Sequence, residues 1–327
     1  MRIGIDYRFA ETTSGLGRYT RSLVRHLLKQ QDSVEYILLQ AAHIPPYSLA
    51  EQLSLPKIIR KAHIDLLFVP HFNAPLFCPV PFIITIHDLI LHQYPHGASL
   101  LRRAAYRLIM HHAVQRARAI IAVSRFTAQE LCTAYSDTIR AKLTVIPEGI
   151  EETFSPRSGE EQERVRHIYG LFKPFYLYIG TAKDHKNVQT LIDAFASIRD
   201  GNAELLLVIG GPTVSGLTLA PGVRVLSDVP EDDLPALYSA ARSFVTASLY
   251  EGFCLPIVEA RACGCPIIAS ERAAIPEIAG PHALLVEPTI EALANALRNP
   301  PPRSAPMRVC SWQETAEQTA HVLLSSK

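Results

Sequence analysis

Residues 175–211, FYLYIGTAKDHKNVQTLIDAFASIRDGNAELLLVIGG, decide the fold. An apolar run at 175–181 is followed by a polar loop, an amphipathic stretch and a second apolar run at 203–211. Continuous apolar runs of this length are typical of parallel strands, which are buried on both faces of a sheet. The segment therefore predicts a strand–helix–strand unit of a doubly wound α/β sheet.

The same pattern recurs along the whole chain and predicts a similar sheet in each half. We expect two Rossmann-like domains facing each other across a cleft, with the ligand beyond the carboxyl ends of the strands. In the first half strands are predicted at 2–6, 34–40, 64–70, 81–87, 119–124 and 142–147, and helices near 16–30, 99–118 and 126–135. In the second half strands are predicted at 175–181, 203–211, 223–227, 243–248, 266–270 and 283–288.

Changes in composition indicate the domain limits. We expect an N-terminal domain at 1–150, a polar linker at 151–172 and a C-terminal domain at 173–300. The tail at 301–327 begins in a proline run and ends in an amphipathic stretch that could pack on either domain, including a return to the N-terminal one.

Size and charge exclude several classes of protein. The chain has 327 residues, of which 48% are apolar and 19% are charged. A chain of this length and apolar content is more than one hydrophobic core usually needs. Lys and Arg total 32 against 31 Asp and Glu, so no strong field favours nucleic acid. The charge is uneven, at 17 − 12 = +5 over residues 1–155 and 15 − 19 = −4 over 156–327. The basic half could face an acidic partner.

Neither a signal peptide nor a membrane span is expected. Asp6 interrupts the N-terminal stretch where a signal peptide would be apolar, and runs such as LLLVIG (205–210) fall well short of the roughly 20 residues that cross a bilayer. The cysteines show no zinc-binding spacing and indicate reduced thiols. We therefore expect a cytoplasmic protein.

The most specific motif is YEGFCLPIVEARACGCPIIAS at 250–270. Glu251 lies in a loop after a strand, Pro256 suits the start of a helix, and Glu259 is expected in about its first turn. Free N–H groups at a helix start attract phosphate, and carboxylates accept hydrogen bonds from hydroxyls. The motif favours the binding of a phosphate that carries hydroxyl-rich groups. A structural interpretation stays open, in which Glu251 caps the helix and Glu259 is a solvated acid.

A second helix start suited to anions lies in GTAKDHKN at 180–187. Asn187 can cap the helix, and Lys186 supplies a mobile cation for the charge of a departing diphosphate. No D-x-D motif accompanies it, so we expect no metal. Lys183 is equally well explained as a surface lysine.

Two weaker signals lie in the first half. SGLGRY at 14–19 is a glycine-bearing loop between a strand and a helix, but Gly15 lies too far beyond the strand for a dinucleotide fingerprint. His87 in TIHDL ends a strand and is expected to point into the cleft. By itself, a histidine at the end of a strand is more often structural than functional.

The stretch 100–119, LLRRAAYRLIMHHAVQRARA, predicts a basic amphipathic helix without an acid. Such a surface suits an anionic bilayer. A core-packed helix with a solvated basic side explains it equally well. The basic residues are Arg102, Arg103, Arg107, Arg116 and Arg118.

Taken together, these motifs resemble the retaining glycosyltransferases of family 4, which have the GT-B architecture of two Rossmann-like domains. The best marker is the glutamate pair of EGFCLPIVE, supported by GTAKDHKN, AVSRFTAQEL (122–131) and VIPEGI (145–150). Members with an R-I-G-I-D-like strand and a G-x-G-R-Y loop often use GDP-mannose in bacterial lipid-linked polysaccharide synthesis. The resemblance implies retaining transfer of a hexose, best mannose from GDP-mannose, to a hydroxyl of a glycan or lipid-linked acceptor. It implies no cofactor besides the nucleotide sugar.

The resemblance also implies roles for individual residues. His87 would contact the transferred sugar, Lys186 would grip the donor diphosphate, and Glu251 would bind the sugar's hydroxyls. Glu259 would hold the ribose, and Val229 would lie nearest the base. The other donor contacts would come from Gly15, Leu16, Gly17, Gly180, Thr181, Gly252, Phe253, Cys254 and Leu255.

One departure from the family pattern concerns the diphosphate, because related members often have an arginine where this chain has Thr181 or His185. Lys183 or Arg18 would compensate, or donor binding would be weaker or depend on pH. Two other functions stay open: a sugar-nucleotide epimerase of the same fold, and a non-catalytic sugar-nucleotide-binding partner. A lipid-linked acceptor would place the protein peripherally on the inner membrane.

Overall fold

The computed structural model describes the chain in nine ranges, without the side chain of Arg102. Residue contacts divide the chain into two units, Met1–Gly149 with Cys310–Lys327 and Ile150–Val309. Each unit is built on one six-stranded sheet, and the α/β class predicted from the sequence is confirmed. The described ranges are 1–12, 15–30, 34–41, 44, 48–94, 99–198, 201–210, 216–307 and 309–325.

The first unit contains a parallel sheet with the order β2-β1-β3-β4-β5-β6. Strand β2 lies on one side of β1, and β3 to β6 follow in order on the other side of β1. The point where the strand order reverses therefore lies between β1 and β3. The strands are β1 (Arg2–Asp6), β2 (Glu35–Leu39), β3 (Leu66–Val69), β4 (Phe82–Ile86), β5 (Ala119–Ala122) and β6 (Leu143–Val145).

Helices cover both faces of this sheet. The face with α2, α4 and α5 forms one apolar cluster, and the face with α1 and the last helix of the chain, α12, forms another. The helices are α1 (Gly15–Leu27), α2 (Leu49–Ala62), α3 (Ile90–Gln93), α4 (Leu100–Arg116), α5 (Arg125–Tyr135) and α12 (Trp312–Ser325).

Helices α2 and α4 of this unit differ from the prediction, and the short helix α3 was not predicted either. No helix was predicted at Leu49–Ala62, where Pro56 lies in the interior, but the side chain of Ser48 accepts a hydrogen bond from the Glu51 N–H and starts the helix. The basic helix ends at Arg116, since Ala119 already belongs to β5. Arg118 is therefore outside it.

The terminal helix α12 belongs to the first unit. Trp312 at its start is fully buried among the apolar side chains of α1. The hydroxyl of Thr315 donates to the carbonyl of Pro147, 2.9 Å away. A Cβ on Gly149 would collide with the backbone of Trp312, so this close approach requires glycine.

The second unit contains a parallel sheet with the order β12-β11-β10-β7-β8-β9, and its strand order reverses between β7 and β10. The predicted linker 151–172 is partly helical, because Ser158 and Glu161 form a capping box at the start of α6. The strands are β7 (Phe175–Gly180), β8 (Glu204–Ile209), β9 (Val223–Leu226), β10 (Ser243–Thr246), β11 (Ile267–Ser270) and β12 (Leu284–Val286). The helices are α6 (Gly159–Tyr169), α7 (Val188–Ile198), α8 (Leu234–Ala240), α9 (Leu255–Ala262), α10 (Ile275–Ala279) and α11 (Ile290–Arg298).

Within the described residues, none of the helices has both the length and the apolar character needed to cross a membrane.

Candidate active site

Lys186 and Glu251 meet at the point where the second sheet reverses its strand order. Lys186 follows β7 and Glu251 follows β10, and these two strands are neighbours. The carboxyl ends of parallel strands at such a point form the usual ligand crevice of an open α/β sheet. The structure thus brings together two residues that are 65 positions apart in the sequence.

The two side chains form a bidentate ion pair. Nζ of Lys186 lies 2.6 Å from Oε1 and 2.8 Å from Oε2 of Glu251. The backbone is tied at the same place, since the N–H of Leu249 donates to the carbonyl of His185 at 2.7 Å. Lys186 keeps 22% and Glu251 10% of side-chain exposure, so the lysine is the more accessible member of a mostly buried pair.

Helix α9 begins beside Glu251 without a side-chain cap. Its N-cap residue, Cys254, has a left-handed backbone (φ 78°) and makes no capping hydrogen bond through its side chain. Glu251 is not the cap either, because its described side-chain contacts are those with Lys186. Pro256 has no N–H and the N–H of Ile257 donates to the Cys254 carbonyl at 3.1 Å, so the N–H of Leu255 is the one at this helix start suited to an anion. Gly252, Phe253 and Leu255 are buried around this start.

Glu259 lies deeper in α9 than the sequence indicated. It is in the second turn, is 1% exposed, and accepts a hydrogen bond from the hydroxyl of Tyr238 at 2.8 Å. Both the first-turn position and the solvated-acid alternative are wrong. The ribose contact of Glu259 stays a prediction.

The end of β7 explains why Gly180 is a glycine. A Cβ there would lie 2.7 Å from the hydroxyl oxygen of Tyr178, which itself donates to the carbonyl of Thr181 at 2.7 Å.

Burial, with Lys186 beside it, lowers the pKa of His185 to about 4. His185 is therefore neutral near pH 7 and adds no fixed charge for a diphosphate. Val229 is half-buried after the edge strand β9.

In the first unit the glycine pair belongs to a helix and not to a loop. Gly15, Leu16 and Gly17 form the first turn of α1, while residues 13 and 14 lie outside the described ranges. Gly17 is required sterically, because a Cβ would collide with the carbonyl of Thr12. Nothing in the described surroundings would meet a Cβ on Gly15.

His87 directly follows β4, and its ring is held on both sides. Nδ1 lies 2.8 Å from Oε1 of Glu148, and Nε2 lies 3.0 Å from the carbonyl oxygen of Pro70. Glu148 was not identified from the sequence, although an acid directly after a predicted strand was a signal that could have shown it.

A second group that the sequence did not indicate lies after β1. Arg8 donates to Asp6 at 2.7 Å and to Glu51 at 2.6 Å, and Asn73 donates to Glu51 at 2.7 Å. All four residues are buried. Over the described part of the chain, no three His, Cys, Asp or Glu side chains are grouped as a metal site would need.

Comparison with known proteins identifies the family. The model "Glycosyl transferases group 1" matches residues 161–299, and "Glycosyltransferase Family 4" matches residues 38–154. The chain therefore carries a family 4 domain and a group 1 domain of the glycosyltransferases. The resemblance seen in the motifs is confirmed.

Relatives of the chain include two proteins named as mannosyltransferases. The chain is 29% identical over 259 residues to the O-antigen chain mannosyltransferase B of Escherichia coli, covering 75% of this chain and 65% of that protein. It is 32% identical over 228 residues to the MMP alpha-(1->4)-mannosyltransferase of Mycolicibacterium hassiacum, covering 62% of this chain and 53% of that protein. The chain thus spans less than two thirds of the length of these relatives.

The architecture also matches solved structures. Sucrose-phosphate synthase from Thermosynechococcus elongatus superposes with a TM-score of 0.78 at 20% identity, covering 99% of this chain and 98% of that one. The likeness supports the GT-B fold predicted for this family 4 chain.

Proposed function

We propose that this chain is a retaining glycosyltransferase that moves mannose from GDP-mannose to a hydroxyl of a glycan in lipopolysaccharide or exopolysaccharide synthesis. The observation that carries the proposal is the Lys186–Glu251 pair beside the start of α9. A cation and the N–H of a helix start suit a diphosphate, and an adjacent carboxylate suits sugar hydroxyls. The choice of mannose is supported by the two relatives named as mannosyltransferases.

Donor binding would exchange the partners of the ion pair. In the free chain Lys186 and Glu251 satisfy each other. A diphosphate would attract Nζ of Lys186 and leave the oxygens of Glu251 free for the hydroxyls of the sugar. Each charged group would trade one charge-assisted hydrogen bond for another, so neither would be left buried and unpaired.

The transfer step would need no nucleophile from the protein. The bond between the anomeric carbon and the diphosphate oxygen breaks, and a bond to the acceptor oxygen forms on the same face. The departing diphosphate oxygen takes the acceptor's proton. Lys186 and the N–H groups at the starts of α7 and α9 would stabilise the negative charge that develops on the diphosphate.

We also propose that donor binding is independent of metal ions, because Lys186 would neutralise charge that a divalent cation neutralises in other enzymes. Transfer measured with and without a chelator tests this. Equal rates are expected. A loss on chelation that added Mg²⁺ or Mn²⁺ restores would overturn it.

A donor panel tests the reaction. Purified chain is given GDP-mannose, UDP-sugars or dTDP-sugars with and without a polysaccharide acceptor, and release of the nucleotide is scored. Acceptor-dependent release of GDP from GDP-mannose is expected, and Glu251→Gln should abolish it. Conversion of the donor without acceptor, detected by NMR, would instead show an epimerase. Binding without turnover would show a non-catalytic partner.

We further propose that the first unit docks peripherally on an anionic bilayer, where a lipid-linked acceptor would be held. Helices α2 and α4 pack on the same face of the sheet, so the outer sides of both face away from it. Large apolar side chains that are more than half exposed lie on these helices and on the loop that contains Phe77. This loop is tied to α2 because the N–H of Leu76 donates to the side chain of Gln52. These exposed apolar side chains are Leu49, Leu53, Phe77, Leu100, Leu101 and Leu108.

Cations accompany these side chains. Lys57, Arg60 and Arg107 are exposed on the two helices. Helix α4 has no acid, and Glu51, the acid of α2, is buried against Arg8. Apolar side chains with basic neighbours suit the boundary between anionic headgroups and acyl chains.

Flotation with vesicles tests the docking surface. The chain should float with vesicles of phosphatidylglycerol and phosphatidylcholine, and much less with phosphatidylcholine alone. Leu101→Ser with Leu108→Ser should weaken flotation, whereas Phe172→Ser, an equally exposed apolar residue of the second unit, should not. No flotation, or flotation that ignores lipid charge, would contradict the proposal.

A further inference from the structure

The contact geometry of His87 favours its protonated form. Its Nδ1 faces the carboxylate of Glu148 and its Nε2 faces the carbonyl of Pro70. Carboxylate and carbonyl oxygens accept hydrogen bonds, so both contacts are satisfied together when each ring nitrogen carries a proton. The imidazolium form of His87 is the one that fits both partners.

Glu148 is held in place from its other side by the terminal helix. The residue before it, Pro147, accepts a hydrogen bond from Thr315 of α12, and the residue after it, Gly149, lies against the backbone of Trp312. The Glu148 side chain is 9% exposed. Since both flanking residues are fixed, the carboxylate has little freedom to leave His87.

The other groups around His87 do not replace Glu148. Tyr19 of α1 contacts the ring edge-on, with centroids 4.5 Å apart, and burial raises the pKa of that phenol. His71, in the loop after β3, stacks at 6.5 Å, and its pKa is well below the ordinary value because of burial and the charges of His87 and Arg8. Both are thus neutral near pH 7. Asp88 is the other acid that acts on His87.

We infer that Glu148 is the positioning residue of His87: it fixes the orientation of the ring and keeps a positive charge at the carboxyl end of β4. The inference rests on the proposed function, in which His87 contacts the transferred sugar. A substrate oxygen would replace the Pro70 carbonyl as the acceptor of the Nε2–H, while Nδ1–H stays on Glu148. His87 would then donate its Nε2–H to the substrate without changing its hydrogen bond to Glu148 at Nδ1.

An NMR titration tests the pairing in the full chain. Glu148→Gln removes the charge but keeps the size, and Glu152→Gln is the matched control because Glu152 is exposed. The His87 ring should titrate about one pH unit lower in the Glu148→Gln variant, and unchanged in the control. Equal titration in all three proteins would overturn the inference.

Kinetics test the positioning role. With Glu148→Gln, kcat should fall on the order of 10- to 100-fold with little change in the KM for the donor, and the alkaline limb of the pH profile should move to lower pH. Glu148→Asp should recover part of the loss. If Glu148→Gln does not fold, Glu148→Asp is compared with the wild type by the same measurements. A pH profile and kcat like those of the wild type in the folded variant would overturn the role.

Failure of the proposed transfer reaction and failure of the role of Glu148 give different results in these experiments. If the wild type transfers no sugar from any donor, the proposed function fails, and the role of Glu148 fails with it. If the wild type transfers sugar and the Glu148 variants behave identically, only the present inference fails.

Discussion

The two sheets both carry an ion pair at the point where the strand order reverses, and the pairs differ in their access to water. In the first unit Arg8 lies between Asp6 and Glu51, with side-chain exposures of 3%, 0% and 0%. In the second unit Lys186 and Glu251 keep 22% and 10%. The contacts are equally short, at 2.6 to 2.7 Å, so distance does not distinguish them.

Burial decides what each pair can do. Arg8 is closed off from ligands, and with Glu51 and Asn73 it connects the loops after β1 and β3 to helix α2. Its role is to hold these segments together. The Lys186–Glu251 pair keeps some exposure, chiefly at Lys186, and the proposed exchange of partners with a donor requires this exposure. The same local chemistry thus stabilises one unit and is available for binding in the other.

The largest expected effect comes from breaking the buried group. Glu51→Ala should lower the free energy of unfolding by about 3–5 kcal/mol, because it leaves the Arg8 charge buried with one carboxylate fewer. Urea unfolding measures this. Glu35→Ala, which removes the exposed partner of Arg2, is the control and should cost less than about 1 kcal/mol. Equal losses in the two variants would remove the distinction between the pairs.

Breaking the more accessible pair, Lys186–Glu251, should affect turnover more than stability. Lys186→Ala should reduce kcat roughly 10²- to 10³-fold, since it removes a cation from the departing diphosphate. Because the carboxylate of Glu251 is only 10% exposed and loses its partner, the free energy of unfolding should also fall, but by less than in Glu51→Ala. Steady-state kinetics and urea unfolding are measured together, with Lys173→Ala, at an exposed lysine of the same unit, as the control. Unchanged turnover would exclude the role of Lys186.

The His87–Glu148 pair predicts a dependence of stability on pH. Burial by itself would lower the pKa of His87, but the hydrogen bond and charge of Glu148 outweigh burial, so that the pKa is raised. The pair's contribution to stability is therefore complete below about pH 6.5 and is lost as pH rises through the folded pKa. The stability difference between the wild type and His87→Gln, from unfolding at pH 5 to 9, should shrink with pH. A difference that grows with pH would contradict the pairing.

The smallest effect is expected at Cys254. Its φ of 78° is unfavourable for any residue with a Cβ, so Cys254→Gly should raise the free energy of unfolding by about 1 kcal/mol or less. Cys254→Ala keeps the Cβ and is the control. Thermal unfolding compares the two. A glycine variant less stable than the alanine variant would show that this strain does not limit stability.

The sequence was sufficient for the strands and for part of the site. All twelve strands were predicted, since a buried parallel strand requires an apolar run that is visible without knowing its neighbours. Lys186 and Glu251 were identified because each follows such a strand. Helix α2 was missed because Pro56 interrupts its pattern, and its formation depends on the Ser48 cap and on packing against the sheet.

The amino-acid sequence by itself determined the α/β class, the strand positions and the residue types at the strand ends, because hydrophobic periodicity is a local property. Only the tertiary structure decided which of these residues meet. Glu148 contacts His87 across 61 positions of sequence, and Glu51 contacts Arg8 across 43. Such partners are set by strand order and helix packing, and burial then determines whether an ion pair stabilises the fold or stays accessible to a ligand.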